Sequence, residues 1–90
     1  MSNIIKMPKR FDYSAMGDFN AAVNLALSEA HSKIVLDCMF MDYIDSSGLG
    51  LLVMAYKKVH ENNSNIAIIN LKPSAREILL LANLQKLIDF

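Results

Sequence analysis

The sequence predicts a layered α/β domain, with a mixed central sheet of about four strands alternating with three helices. Three observations lead there. Apolar residues switch along the chain between short continuous runs, as in strands, and steps of three or four residues, as in helices. The two clearest runs, Ile34-Val35-Leu36 and Ile66-Ala67-Ile68-Ile69, are short and β-branched, and a helical stretch separates them. An apolar content of 53% over 90 residues supplies one compact core, so residues 1–90 read as one domain.

The elements come in order along the chain. Asn3 to Met7 is an apolar stretch stopped by Pro8, which suits an edge strand. Lys9-Arg10-Phe11-Asp12 reads as a turn or a second short strand. Between Ala15 and Ala30, Phe19, Val23, Ala26, Leu27 and Ala30 fall at helical spacing, with Ser14 or Asp18 as the expected cap. Lys33 to Cys38 is a strand covered on both faces. Leu49 to His60 is helical, with Leu49, Leu52, Val53, Tyr56 and Val59 on one stripe. Asn62-Asn63-Ser64-Asn65 breaks the pattern, and Ile66 to Leu71 is the second buried strand. Pro73 precedes Ser74 and Glu77, spaced as a capping box, and a helix with Ala75, Ile78, Leu79 and Ala82 inward comes next. Leu87 to Phe90 reads as a last short strand. The strands around Ile34 and Ile66 are expected to run parallel through a crossover.

Composition narrows the function. Nine Lys+Arg against nine Asp+Glu give a formal net charge of zero, which argues against nucleic-acid binding. The lone Cys38 has no partner for a disulfide and points to a reducing compartment. No apolar run approaches the roughly 20 residues of a membrane span, and the N-terminus lacks a signal-peptide pattern. The expectation is a soluble, cytoplasmic protein with no direct membrane insertion and no cofactor. With only Gly17, Gly48 and Gly50 in the chain, no phosphate-binding loop of the G-x-x-x-x-G-K-[ST] type exists. His31 and His60 are not spaced as a metal pair and fall at expected helix ends, where the dipole favours them. Cys38 reads as an inert core residue, and Lys57-Lys58 as a solvated helix face. No serine in the central loop has an evident histidine partner.

The informative stretch is Tyr43-Ile44-Asp45-Ser46-Ser47-Gly48-Leu49-Gly50. Asp45, Ser46 and Ser47 are all N-cap types. Two glycines in one first helical turn cost roughly 1 kcal/mol each relative to alanine and need a reason, such as close approach of another backbone. Met39 and Phe40 lie in the loop before it, as core filler or as an adaptable binding surface. Met41 and Ile44 are expected inward.

This string resembles the signature of STAS domains, and more narrowly of bacterial anti-sigma factor antagonists. Phe11-Asp12, Ile34-Val35-Leu36-Asp37, Pro73-Ser74 and Leu87-Ile88 also resemble family features. The chain departs from the pattern in a shortened opening hairpin, in Arg10 where a glycine is usual, and in apolar Met39 and Phe40. The resemblance implies a non-enzyme that switches partners in transcription regulation. Ser46, directly after Asp45, is then the phosphorylation site. An anti-sigma factor that is itself a serine kinase would be the partner, and a phosphatase would reverse the step. Unphosphorylated protein would bind the partner, and phosphorylation would release it. Met39, Phe40, Asp45, Ser46, Ser47, Gly48, Leu49 and Gly50 form the expected binding surface, with the glycines allowing close docking.

A phosphate adds about −1.5 to −2 charges. At a helix N-terminus the dipole favours it by roughly 0.3–1 kcal/mol, while Asp42 and Asp45 repel it by a similar amount. Phosphorylation should therefore act on the partner rather than on the fold. Two rivals share the surface: a STAS regulatory subunit of an ABC-type transport ATPase complex, and a small enzyme using Ser46 as nucleophile. The sequence leaves monomer against dimer open.

Overall fold

The computed structural model describes residues 3–29 and 32–90. Five short strands and three α-helices run in the order β1 (Ile4–Lys6), β2 (Arg10–Phe11), α1 (Met16–Ser28), β3 (Lys33–Asp37), β4 (Tyr43–Ile44), α2 (Ser46–Glu61), β5 (Asn65–Ile69) and α3 (Pro73–Leu81). One-turn 3-10 helices occupy Tyr13–Ala15 and Leu84–Lys86. The histidine expected at the end of α1, His31, lies outside the described residues.

The α/β layering, the three helices and the parallel pairing of the strands around Ile34 and Ile66 are as expected; the single mixed sheet is not. In place of one mixed sheet there are two ladders, and every pairing in them is parallel. β3 is the centre of a three-stranded sheet ordered β1-β3-β5, with Ile34 opposite Ile66 and Ile5 opposite Leu36. β2 pairs with β4 in a second, two-residue ladder. Pro8 explains the division between β1 and β2, because it has no N–H to continue a ladder. The chain after Pro8 changes neighbours: the Lys9 carbonyl accepts from Asp42 and Tyr43 instead of from β3. The expected last strand reduces to a single bridge between Asp89 and Ala67.

The core lies between the sheet and the helices. Phe11, Ile34, Leu36, Leu52, Val59, Leu79 and Ile88 are all buried. Phe11 meets Phe19 of α1 edge to face, with ring centroids 5.0 Å apart. The apolar stripe of α2 is rotated from the expected one. Gly48, Leu51, Leu52, Ala55 and Val59 are buried, while Leu49, Val53 and Tyr56 are half-buried. In α3, Ala75 and Leu79 face inward as expected, but Ala82 is exposed at the C-cap.

Two expected caps are replaced. α3 begins at Pro73 with Lys72 as N-cap and no side-chain bond, so the Ser74/Glu77 box does not form. Ser74 is already inside the first turn, too late in the chain to cap it. The start of α1 is prepared by Asp12, which caps the preceding 3-10 turn. Asn63, Asn70 and Asn83 take left-handed φ near 60°. Asparagine tolerates this conformation, and Asn63 and Asn83 use it just past α2 and α3.

Candidate functional site

The two-stranded ladder builds the site. Arg10 is opposite Tyr43 and Phe11 opposite Ile44. Phe11 and Ile44 are buried, so Arg10 and Tyr43 face outward, as alternation along a strand requires. Each strand is succeeded by an aspartate that caps the next helical turn. Asp45 Oδ1 accepts from the backbone N–H groups of Ser47 (3.0 Å) and Gly48 (3.1 Å) and from the Ser47 hydroxyl (2.6 Å). The Tyr43 hydroxyl donates to Asp45 Oδ2 at 3.3 Å. Asp12 repeats the arrangement: its Oδ1 accepts from Ser14 N–H (3.0 Å) and Ser14 Oγ (2.5 Å), and its Oδ2 from Arg10 Nε at 2.5 Å. The sequence carries the sign of this duplication, since Phe11-Asp12-Tyr13-Ser14 and Ile44-Asp45-Ser46-Ser47 share apolar-Asp-x-Ser.

These bonds hold the ionised carboxylates. Asp45 lies below its ordinary value, chiefly through the Ser47 hydroxyl and then the Gly48 N–H. Asp12 is lowered first by Ser14 and then by Arg10. A carboxyl group depressed in the folded state adds stability above its unfolded value, about pH 4, and loses it as pH falls through the folded value. Acid unfolding is therefore expected to steepen below about pH 4. In Asp45→Asn the melting temperature at pH 7 should drop by several degrees, and its fall between about pH 4 and pH 2 should be shallower. Parallel melting-temperature curves for the two proteins across that range would show that Asp45 carries no such linkage.

Ser46 and Ser47 differ sharply. Ser47 is half-buried with its hydroxyl on Asp45, so it braces the cap. Ser46 is exposed at the first position of α2, and among the described residues its hydroxyl makes no hydrogen bond. The N–H groups that a helix start would offer a phosphate are partly taken, because Asp45 already occupies those of Ser47 and Gly48.

The glycines also separate. A Cβ on Gly48 would stand 2.3 Å from the Phe11 carbonyl oxygen and 2.9 Å from Ile44 Cγ1. The close approach that glycine permits here is internal, of α2 onto β2. Gly48 is buried and offers no docking surface. Gly50 is exposed, and a Cβ there would have nothing within 4 Å.

The loop between β3 and β4 leads into the Ser46 segment. Met39 is 51% and Phe40 63% exposed, while Met41 and Ile44 are buried as expected. Asp37 holds the loop by accepting from Met39 N–H at 3.1 Å and from Asn70 Nδ2 at 3.0 Å. Asp42 is engaged by Lys72 and by Lys9. Tyr13 is not among the residues expected at the site, yet it is 69% exposed at the position matching Ser46 in the duplicated start. Arg10, in sequence only a departure from a glycine, stacks its guanidinium 4.3 Å from the Tyr43 ring centroid.

Cys38 is buried and its thiol is pushed up to about 12, mainly by burial. Among the described residues no group of three or more His, Cys, Asp and Glu side chains could hold a metal ion. Among them, too, no helix is long and apolar enough to cross a membrane. A cavity of about 330 Å³ opens between β1 and α1, and Ser46 does not line it.

The STAS domain family model matches residues 3–90. A STAS-domain containing protein of Pseudomonas aeruginosa is 31% identical over 83 residues, covering 92% of this chain and 81% of that protein. A Thermotoga maritima protein described as a candidate anti-sigma factor antagonist superimposes with a TM-score of 0.80 at 22% identity, covering 99% of this chain and 79% of that one. The unphosphorylated anti-sigma factor antagonist SpoIIAA gives 0.67 at 20% identity, over 87% of this chain and 72% of its own. The phosphorylated Bacillus SpoIIAA gives 0.69 at 19%, over 94% and 78%. At these identities the three structures share the fold.

Proposed function

From the premise that this chain belongs to the STAS domain family, we propose that it is a phosphorylation-switched protein-binding regulator of the anti-sigma factor antagonist kind. Ser46 is the phosphoacceptor. The unphosphorylated face binds a partner that is both anti-sigma factor and serine kinase, phosphorylation releases that partner, and a phosphatase restores binding. The chain itself catalyses no reaction and works in the cytoplasm.

The observation that carries this reading is the contrast between the two serines. One hydroxyl is committed to Asp45, and the other stands exposed and unbonded, among the described residues, at a helix start. A kinase needs an accessible hydroxyl, and only Ser46 of the pair offers one. Met39 and Phe40 lie in the loop leading to it, Tyr43 reaches the neighbouring Asp45, and Tyr13 holds the matching position after β2; all four are exposed. Exposed large apolar residues of this kind are frequent at protein-binding surfaces.

The test is the intact mass of the protein purified from its native cells, together with the proteins that copurify. A fraction carrying one phosphate at Ser46, and a copurifying kinase-like anti-sigma factor, are expected. Unmodified protein bound to an ABC-type ATPase would overturn the reading in favour of a transport-linked subunit.

Phe40 gives a second check. Phe40→Ser is expected to weaken partner binding by about tenfold while leaving the melting temperature within a few degrees, because the ring is mostly in solvent. Calorimetry beside thermal denaturation reads both. A marked loss of stability with full affinity would put the ring in the core instead.

A further inference from the structure

A phosphate on Ser46 would need hydrogen-bond donors, and the site has few to spare. Asp45 takes the N–H groups of Ser47 and Gly48. Lys9 and Lys72 are both drawn to Asp42. Arg10 is different. A guanidinium has five N–H donors in a planar fork. Only Nε is committed, to Asp12. Among the described residues the terminal Nη groups have no hydrogen-bond partner.

We propose that Arg10 is the intramolecular receiver of the Ser46 phosphate, its free Nη groups closing on the phosphate oxygens across the face of Tyr43. This rests on the reading of Ser46 as phosphoacceptor.

The placement comes from the ladder. Arg10 and Tyr43 are opposite each other on neighbouring strands, with the guanidinium 4.3 Å from the ring centroid. The Tyr43 hydroxyl reaches Asp45 Oδ2 at 3.3 Å, and Ser46 is the next residue. The ring thus holds the guanidinium on the side of the ladder where Asp45 lies. Its charge is reinforced first by Asp12 and more weakly by Asp45. The groups facing it are Asp12, Tyr43 and Asp45; both carboxylates are lowered and stay ionised near neutral pH. Asp45 and a phosphate would repel each other, and a nearby cation offsets that cost. Arginine suits the task because its fork matches two phosphate oxygens at once. A glycine at position 10 would leave the phosphate facing Asp45 with no such counterion.

The full chain with phosphoserine encoded at position 46 tests this without the cellular kinase. Phosphorus NMR titration is expected to place the second phosphate ionisation of the otherwise unaltered protein about half a unit below that of Arg10→Gln, as a neighbouring cation favours the dianion. Arg10→Lys should fall between them. In the same unaltered chain, the Arg10 Nη resonances should shift on phosphorylation. Coincident titration curves for the unaltered protein and folded Arg10→Gln, or unmoved Arg10 resonances, would overturn the proposal. Because the phosphate is encoded, these results stand apart from whether cells phosphorylate Ser46, which the native mass measurement decides.

Discussion

Gly48→Ala is expected to destabilise the fold by about 3 kcal/mol or more, a large share of the stability of so small a domain. The added methyl would stand 2.3 Å from the Phe11 carbonyl oxygen and 3.0 Å from its ring. The nearest obstacle is backbone, so no rotamer change relieves it. Either α2 lifts away from β2, or β2 shifts and disturbs Phe11, which is fully buried against Phe19. Both routes open the core beside the site. Gly50→Ala, two residues on, is expected to have the opposite sign. Nothing crowds a methyl there, and alanine in a helix is favoured over glycine by about 1 kcal/mol. Urea denaturation of both variants reads the contrast. If Gly48→Ala lies within about 1 kcal/mol of the parent, the contact between α2 and β2 is softer than the 2.3 Å approach implies.

Ser46→Asp is expected to weaken partner binding by at least about tenfold, while Ser46→Ala keeps it, with both variants folded. The domain itself is indifferent to either change. The Ser46 hydroxyl makes no hydrogen bond among the described residues, so alanine forfeits none. Aspartate at the first helical position gains roughly 0.3–1 kcal/mol from the dipole, and repulsion by Asp45 offsets it. The partner is less tolerant, because burying an unpaired charge in an interface costs several kcal/mol. Aspartate carries less charge than a phosphate and is too short for the full contact with Arg10, so it should release the partner less completely than phosphoserine. Calorimetry against the copurified partner, beside circular dichroism, decides. Equal affinities for the two folded variants would make Ser46 an ordinary helix start.

The alternation of apolar spacings was enough to read the three helices and the strands around Ile34 and Ile66, because each is long enough to show its own period. The Asp45-Ser46-Ser47 helix start was legible too, since capping chemistry is local. Among the short elements, β1 was legible before Pro8 and β2 only as a turn or a strand, while β4 was not. β2 and β4 have two residues each and exist only because they pair with one another. The Ser74/Glu77 pattern suggested a capping box, but the helix already starts at Pro73. For the site, the sequence supplied the acid, the two serines and the glycines. Ser47 is told from Ser46 by a local bond, its hydroxyl turned onto Asp45 two residues back; the other roles came from packing. Gly48 is told from Gly50 by the Phe11 backbone, from a distant part of the chain, lying where its Cβ would be. Arg10 joins the site only through its register opposite Tyr43. Local chemistry by itself determined where the helix begins and which residue types stand there; which of them face solvent, core or one another was decided by contacts between segments distant in sequence, which no local pattern encodes.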